Sequence, residues 1–149
     1  MFTYEYPRPA VTVDAAVFRS TGNGYEVLLI RRGNEPFKGM WALPGGFVNM
    51  DETLEEAVAR ELEEETGLEH VELEQLHTFS AVNRDPRHRT ISTVFYGIIN
   101  EIGMEARAGD DASETRWFSI GNLPPMAFDH DRVVEIAVKR ILKGDLPGE

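Results

Sequence analysis

Residues Gly46 to Leu68 read Gly-Phe-Val-Asn-Met-Asp-Glu-Thr-Leu-Glu-Glu-Ala-Val-Ala-Arg-Glu-Leu-Glu-Glu-Glu-Thr-Gly-Leu. A helix advances about 100° per residue, so positions three or four apart share a face. Leu54, Val58 and Leu62 then form one apolar stripe, widened by Ala57, and predict a helix with one buried side. Thr53 with Glu56 three residues later fits a capping box at its start. Gly67 fits a left-handed residue at its end. On another face Glu61 lies beside Glu64 and Glu65, and Arg60 stands one turn before Glu64, where it can hold that carboxylate.

A solvated acidic face would also be rich in glutamate, because exposed like-charge pairs on a helix cost only about 0.2–0.5 kcal/mol each. Such a face has no need of fixed spacing. Here Gly45-Gly46, Glu52, Arg60-Glu61, Glu64-Glu65 and Gly67-Leu68 stand at set intervals. Carboxylates converging from one helix face supply the oxygen ligands that magnesium prefers. Two unit charges 4 Å apart repel by about 4 kcal/mol at an effective dielectric near 20, so such a cluster gains from a dication.

Outward from this stretch, Val11 to Arg19 and Glu26 to Arg32 read as strands joined by the Thr21–Gly24 turn. Trp41 to Val48 leads through Pro44-Gly45-Gly46 into the helix. Val71 to Val82 and Thr90 to Asn100 read as two long strands around an arginine-rich loop. Thr115 to Ile120 reads as a short strand. Arg132 to Lys143 has the periodicity of a second amphipathic helix, with Asp129 as its N-cap and Gly144 as its stop. Strands and two helices on a mixed sheet predict a layered α/β domain.

The 149 residues suit one domain with its own core. There is no cysteine, which excludes disulfides, thiolate metal sites and a cysteine nucleophile. The net charge of −11 argues against nucleic acid as a partner. The first nine residues lack the pattern of a signal peptide, and no apolar run reaches the length of a membrane span. The expected location is cytoplasmic.

The stretch from Gly46 to Leu68 resembles the Nudix box, G-x5-E-x7-R-E-U-x-E-E-x-G-U with U aliphatic. It matches at all nine specified positions over 23 residues. The resemblance extends to Leu29-Ile-Arg-Arg, Phe37 to Val48, Arg84-Asp-Pro-Arg, Trp117-Phe and Ala127-Phe-Asp-His. The combination is most similar to the prokaryotic ADP-ribose pyrophosphatase branch and its regulator relatives. It implies an α/β/α sandwich with a mixed β-sheet, and magnesium, with manganese as the alternative, held by Glu61, Glu64 and Glu65 with Glu52 assisting. Arg60 is implied to orient a carboxylate by a salt bridge.

The implied reaction is hydrolysis of a nucleoside diphosphate linked to another moiety, with ADP-ribose giving AMP and ribose 5-phosphate. A nucleoside triphosphate or a nucleotide sugar is the alternative substrate. A non-catalytic ADP-ribose sensor is the alternative of another class; the intact glutamates and the lack of a basic recognition helix speak against it. A homodimer is implied, because relatives often complete the site across subunits.

The remaining candidates follow from this context. Arg84 and Arg87, with Arg89 nearby, can clamp phosphates or a ribose by forked hydrogen bonds. Arg32 ends a strand near the glycine loop and can reach the diphosphate, while Gly45 and Gly46 shape the turn beside it. Trp41 and Phe37 are candidates to stack on adenine, with core packing the equal alternative for Trp41, and Phe18 is assigned to the core. His130 is assigned to the start of the second helix rather than to catalysis. Pro86 is a candidate for the proline that marks many ADP-ribose hydrolases. Glu114, in an acidic loop with Asp110 and Asp111, is assigned as general base or extra metal ligand, because several branches of the family draw that group from a distal loop; plain surface charge is the alternative.

Overall fold

The computed structural model describes residues 3–100 and 112–144. Seven strands and two helices follow in the order β1 (Ala10–Ser20), β2 (Tyr25–Arg32), β3 (Trp41–Ala42), β4 (Gly45–Phe47), α1 (Leu54–Thr66), β5 (Glu74–Phe79), β6 (Thr90–Ile99), β7 (Ala112–Ser119) and α2 (His130–Gly144). β1 and β6 are parallel over the full run from Ala10↔Thr90 to Arg19↔Ile99. The other pairings are antiparallel: β1 with β2 and with β4, β2 with β3 and with β7, and β5 with β6. The mixed sheet therefore runs β3-β2-β1-β6-β5, with β4 added on β1 and β7 on β2.

The central strand explains the layering. Thr12 to Phe18 are buried without a break, as expected for a strand covered on both faces. Alternate side chains then feed two cores. Ala16 and Phe18 join Val27, Leu29 and Val94 in one cluster, capped by Val133, Val134, Ala137 and Ile141 of α2. Val13, Ala15 and Val17 join Leu28 and Phe95 in the other, capped by Ala57, Val58 and Leu62 of α1. One helix thus covers each face of the sheet, and the expected sandwich is present.

The box helix forms as its sequence predicts. Thr53 accepts from the Glu56 N–H at 3.1 Å, and Glu56 returns a 2.9 Å bond from the Thr53 N–H. Gly67 ends the helix at φ 79°, in the left-handed region that a Cβ disfavours. Other boundaries move. The strand expected over Val71 to Val82 shrinks to Glu74–Phe79, and the last strand begins earlier than Thr115, at Ala112. Two short strands flank Leu43-Pro44, where the sequence shows only a lead into the helix.

β1 exchanges partners along its length, and this opens the cleft. Phe18 to Ser20 pair with β2, whereas Thr12 to Asp14 pair with β4. Between them the Ala15 N–H donates to the Pro44 carbonyl at 2.8 Å. β2 leaves β1 where β4 takes its place, and residues of both strands line the cleft. Among the described residues, no helix is long and apolar enough to cross a membrane.

Candidate active site

A cleft of about 450 Å³ is lined by Glu61, Glu64 and Glu65 of α1, by Gly45, Gly46 and Phe47 of β4, by Asp14 of β1, and by Arg32, Arg84, Arg87, Phe128 and His130 from the surrounding elements. This is within the range of small-molecule sites. Carboxylates from one helix and guanidinium groups from β2 and the β5–β6 loop meet across a single space.

Arg60 organises the acidic end. Its Nε and Nη2 fork onto Glu52 at 2.9 and 2.6 Å, its Nη1 donates to Glu61 at 2.7 Å and to Glu64 at 3.1 Å, and its Nη2 also reaches the Phe47 carbonyl at 3.0 Å. Arg60 thus makes salt bridges with the carboxylates of Glu52, Glu61 and Glu64. The Arg60 hydrogen bond, followed by the Asn49 N–H, holds the Glu52 carboxyl down at about 2. Both Glu52 oxygens are committed to Arg60, and Glu52 does not line the cleft. Glu52, expected to assist in metal binding, is placed here as the partner that fixes Arg60.

Glu65 is 6% exposed and accepts from the Gly45 N–H at 3.1 Å. Burial first, then its hydrogen bond and repulsion with Glu61, push its carboxyl up to about 9; the Gly45 N–H opposes this and Asp14 adds to it. Two carboxylates in contact and shielded from water cannot both ionise cheaply. A dication relieves that conflict by replacing the shared proton. Gly46 marks how tightly the turn approaches: a Cβ there would lie 2.6 Å from the Glu61 carboxylate. Glu61, Glu64 and Glu65 therefore fit a hard divalent ion in chemistry. Among the described residues no three acidic or histidine side chains already stand in complete liganding geometry; Glu61 and Glu64 both accept from Arg60.

The arginine wall is built differently from the expectation. Arg84 is expected as a phosphate clamp, yet it forks onto Asp129 at 2.9 and 2.7 Å with only 5% of its side chain exposed. Asp129 does stand at the N-cap position, because its carbonyl accepts from Val133 at 3.1 Å. Its side chain serves Arg84 instead of capping. Arg87 forks onto buried Asp85 at 3.1 and 2.8 Å and keeps a more exposed guanidinium, 5.4 Å from the Phe47 ring centroid and 5.8 Å from that of Phe128. Arg32 donates to the Pro36 carbonyl at 2.7 Å and lies 5.0 Å from the Phe128 ring.

Two candidates fall away from the cleft. Trp41 packs edge-on against Phe118 at 4.8 Å, with Arg116 over its ring, and belongs to the core beneath α2. Glu114 lies in β7 rather than in a loop, opposite Arg31, and pairs with Arg31 and Arg116. The cleft-lining residues include neither. Asp110 and Asp111 lie outside the described residues. Phe18 is in the core as assigned, and Phe37 packs edge-on against Phe128 at 4.8 Å.

Sequence reasoning missed Asp14, Ser92, Phe47 and Phe128. Asp14 is buried, accepts from the Ser92 hydroxyl at 2.6 Å, and faces His130 Nε2 at 3.8 Å. A signal existed: an aspartate inside the apolar run Val11 to Phe18 interrupts a buried strand, and a buried charge calls for a reason. His130 begins α2 as assigned, and it also lines the cleft floor. Burial lowers its pKa from the usual histidine value, with Asp14 and Asp129 opposing and Arg84 and Arg32 assisting.

The comparisons agree with this geometry. The NUDIX domain family model matches residues 8–135. The ADP-ribose pyrophosphatase of Methanocaldococcus jannaschii is 48% identical over 130 residues, 87% of this chain and 73% of that protein. The NUDIX domain of Shewanella oneidensis NrtR, in a cocrystal structure with ADP ribose, superposes with a TM-score of 0.85 at 32% identity, over 91% of this chain and 90% of that one. A bifunctional NMN adenylyltransferase/ADP ribose pyrophosphatase of Francisella tularensis, complexed with AMP and a Mn ion, superposes with a TM-score of 0.78 at 32% identity. This chain covers 92% of its own length in that match and 43% of the larger protein's. With the box helix, the two-faced sheet and the carboxylate–arginine cleft all in place, the chain belongs to the Nudix family and is a Nudix hydrolase, acting on diphosphate linkages.

Proposed function

We propose that this hydrolase cleaves ADP-ribose to AMP and ribose 5-phosphate with magnesium, or manganese in its place. One observation carries the reading: three glutamates of α1 and the guanidinium groups of Arg32 and Arg87 line the same cleft. A diphosphate flanked by two sugars has its negative charge in the middle and flat or polar groups at each end. Its oxygens need cations, while its ends need stacking and hydrogen-bonding surface. Similarity to an ADP-ribose pyrophosphatase and to a domain crystallised with ADP ribose supports this choice of substrate.

Glu61, Glu64 and Glu65 would hold the metal. When bound, a divalent cation supplies Lewis-acid neutralisation of the diphosphate oxygens. Arg60 keeps Glu61 and Glu64 aimed at the acidic end by its hydrogen bonds. Arg32 and Arg87 face the opposite side of the substrate, where forked donors suit phosphate oxygens. Gly45 and Gly46 let the backbone pass close to the carboxylates without a side chain between them. Glu114 does not serve as general base in this reading. A homodimer in the cytoplasm remains part of it.

Incubation with ADP-ribose and either cation in ¹⁸O-water, followed by mass analysis of the products, tests the assignment. Labelled AMP or labelled ribose 5-phosphate is expected and identifies the attacked phosphorus. Rapid turnover of nucleoside triphosphates or nucleotide sugars with ADP-ribose left intact would reassign the substrate. Binding of ADP-ribose without any product would favour a sensor.

A further inference from the structure

The run Ala127-Phe128-Asp129-His130 stands far from the box in sequence, yet Phe128 and His130 line the cleft and Asp129 holds Arg84, which also lines it. Phe128 lies at φ 54°, a conformation that a bulky residue adopts only when its surroundings hold it there. The turn sends the Phe128 ring toward Arg32 and Arg87. It sends Asp129 to Arg84. It sends His130 inward, 5% exposed, where Nδ1 accepts the Leu43 N–H at 3.0 Å. With Nδ1 an acceptor, the ring of a neutral imidazole carries its proton on Nε2, the atom that faces Asp14.

Leu43 opens the short turn that ends at Gly46. The turn is pinned at three successive points: Leu43 N–H on His130, Pro44 carbonyl on Ala15 N–H, and Gly45 N–H on Glu65. The first pin is the one supplied by a side chain of α2, 87 residues away in sequence. Gly46 follows directly after Gly45, and it packs near enough to the Glu61 carboxylate that a Cβ there would lie 2.6 Å from it.

We propose that His130 is a positioning residue for hydrolysis, fixing the Leu43–Gly46 turn, and through it Glu61 and Glu65, by accepting the Leu43 N–H. The role rests on the hydrolase reading of the cleft. It requires an acceptor at the Nδ1 position and no proton transfer.

Two polar substitutions that differ by one methylene test it. Asparagine places an acceptor oxygen near the Nδ1 position; glutamine places it nearer Nε2. His130→Asn should keep kcat within about threefold of the wild type, and His130→Gln should lose at least about tenfold, because a displacement of about 1 Å can cost as much as 100-fold. KM for the nucleotide should stay near the wild-type value in both. Two readouts do not depend on turnover: in His130→Gln the Leu43 amide should exchange hydrogen at least about tenfold faster, and calorimetric Mn²⁺ affinity should weaken, with His130→Asn near wild type in each. Equal kcat, exchange and Mn²⁺ affinity in the two variants would overturn the proposal. So would a His130→Gln chain that unfolds while His130→Asn does not, since His130 would then be structural only. If the wild type hydrolyses no diphosphate substrate, the hydrolase reading fails, and amide exchange with Mn²⁺ binding decides the His130 role alone.

Discussion

Adding one methyl group at Gly46 separates folding from catalysis in this cleft. A Cβ on Gly46 would meet the Glu61 carboxylate carbon and both oxygens at 2.6 to 2.7 Å, where ordinary contact begins near 3.4 Å. The carboxylate must retreat by about 0.8 Å, a displacement of the size that costs roughly 100-fold in rate when it reaches a catalytic constellation. The obstacle is the free end of a flexible side chain, so the backbone need not move. The fold loses the 2.7 Å Arg60–Glu61 bond at most, about 1–3 kcal/mol for a charge-assisted contact before solvent screening. Gly46→Ala should therefore melt within several degrees of the wild type and lose about 100-fold in kcat at saturating magnesium. Gly45→Ala supplies the contrast, because a Cβ there falls 2.2 Å from the Val13 carbonyl and 2.9 Å from the Asp14 Cα, both backbone atoms in the β1–β4 pairing. That variant should fail to fold or melt far lower. Circular dichroism melts and initial rates on ADP-ribose read both. A well-folded Gly46→Ala enzyme with wild-type kcat would refute the claim that Gly46 exists to admit the Glu61 carboxylate.

Other substitutions probe the same cluster. Glu64→Gln should leave the melt intact and lower turnover by orders of magnitude, and wild-type rates would remove Glu64 from the metal set. Arg60→Gln should let the Glu52 carboxyl rise from about 2 toward its ordinary 4.5, read by carbon NMR titration; an unmoved titration would contradict the fork as drawn. In EDTA, the raised Glu65 carboxyl contributes stability that is fully present below about 4.5 and is lost as pH rises through about 9. The melting gain from magnesium should thus grow between pH 5 and 9, and Glu65→Gln should flatten this slope; a gain independent of pH would sink the Glu61–Glu65 assignment.

The box helix was legible because every cause acts within a few residues. Capping by Thr53 and Glu56, the stripe Leu54–Val58–Leu62 and the Gly67 stop are local, and the register of Arg60 with Glu61 and Glu64 follows from helical pitch alone. The strands of the two-sided sheet could be read from their apolar runs for the same reason. Glu52 was harder, because its spacing from Arg60 is compatible with either a metal or the guanidinium, and only the folded turn at Asn49 turned it toward Arg60.

Trp41, Glu114 and Arg84 each have a partner remote in sequence, which spacing along the chain does not reveal, and of the three only Arg84 lines the cleft. Trp41 went to Phe118, Glu114 to Arg31 across β2, and Arg84 to Asp129. Local spacing thus determined the helix and placed Glu61, Glu64 and Glu65 on it, and the resemblance of that stretch to a known motif pointed to the family. Tertiary structure decided which arginines face open space, which aromatic rings line the cleft, and that His130 supports the turn beneath it. The physical reason is that a helix brings its own residues together by pitch, whereas a cleft lined by separate strands joins segments whose separation along the chain carries no periodic signal.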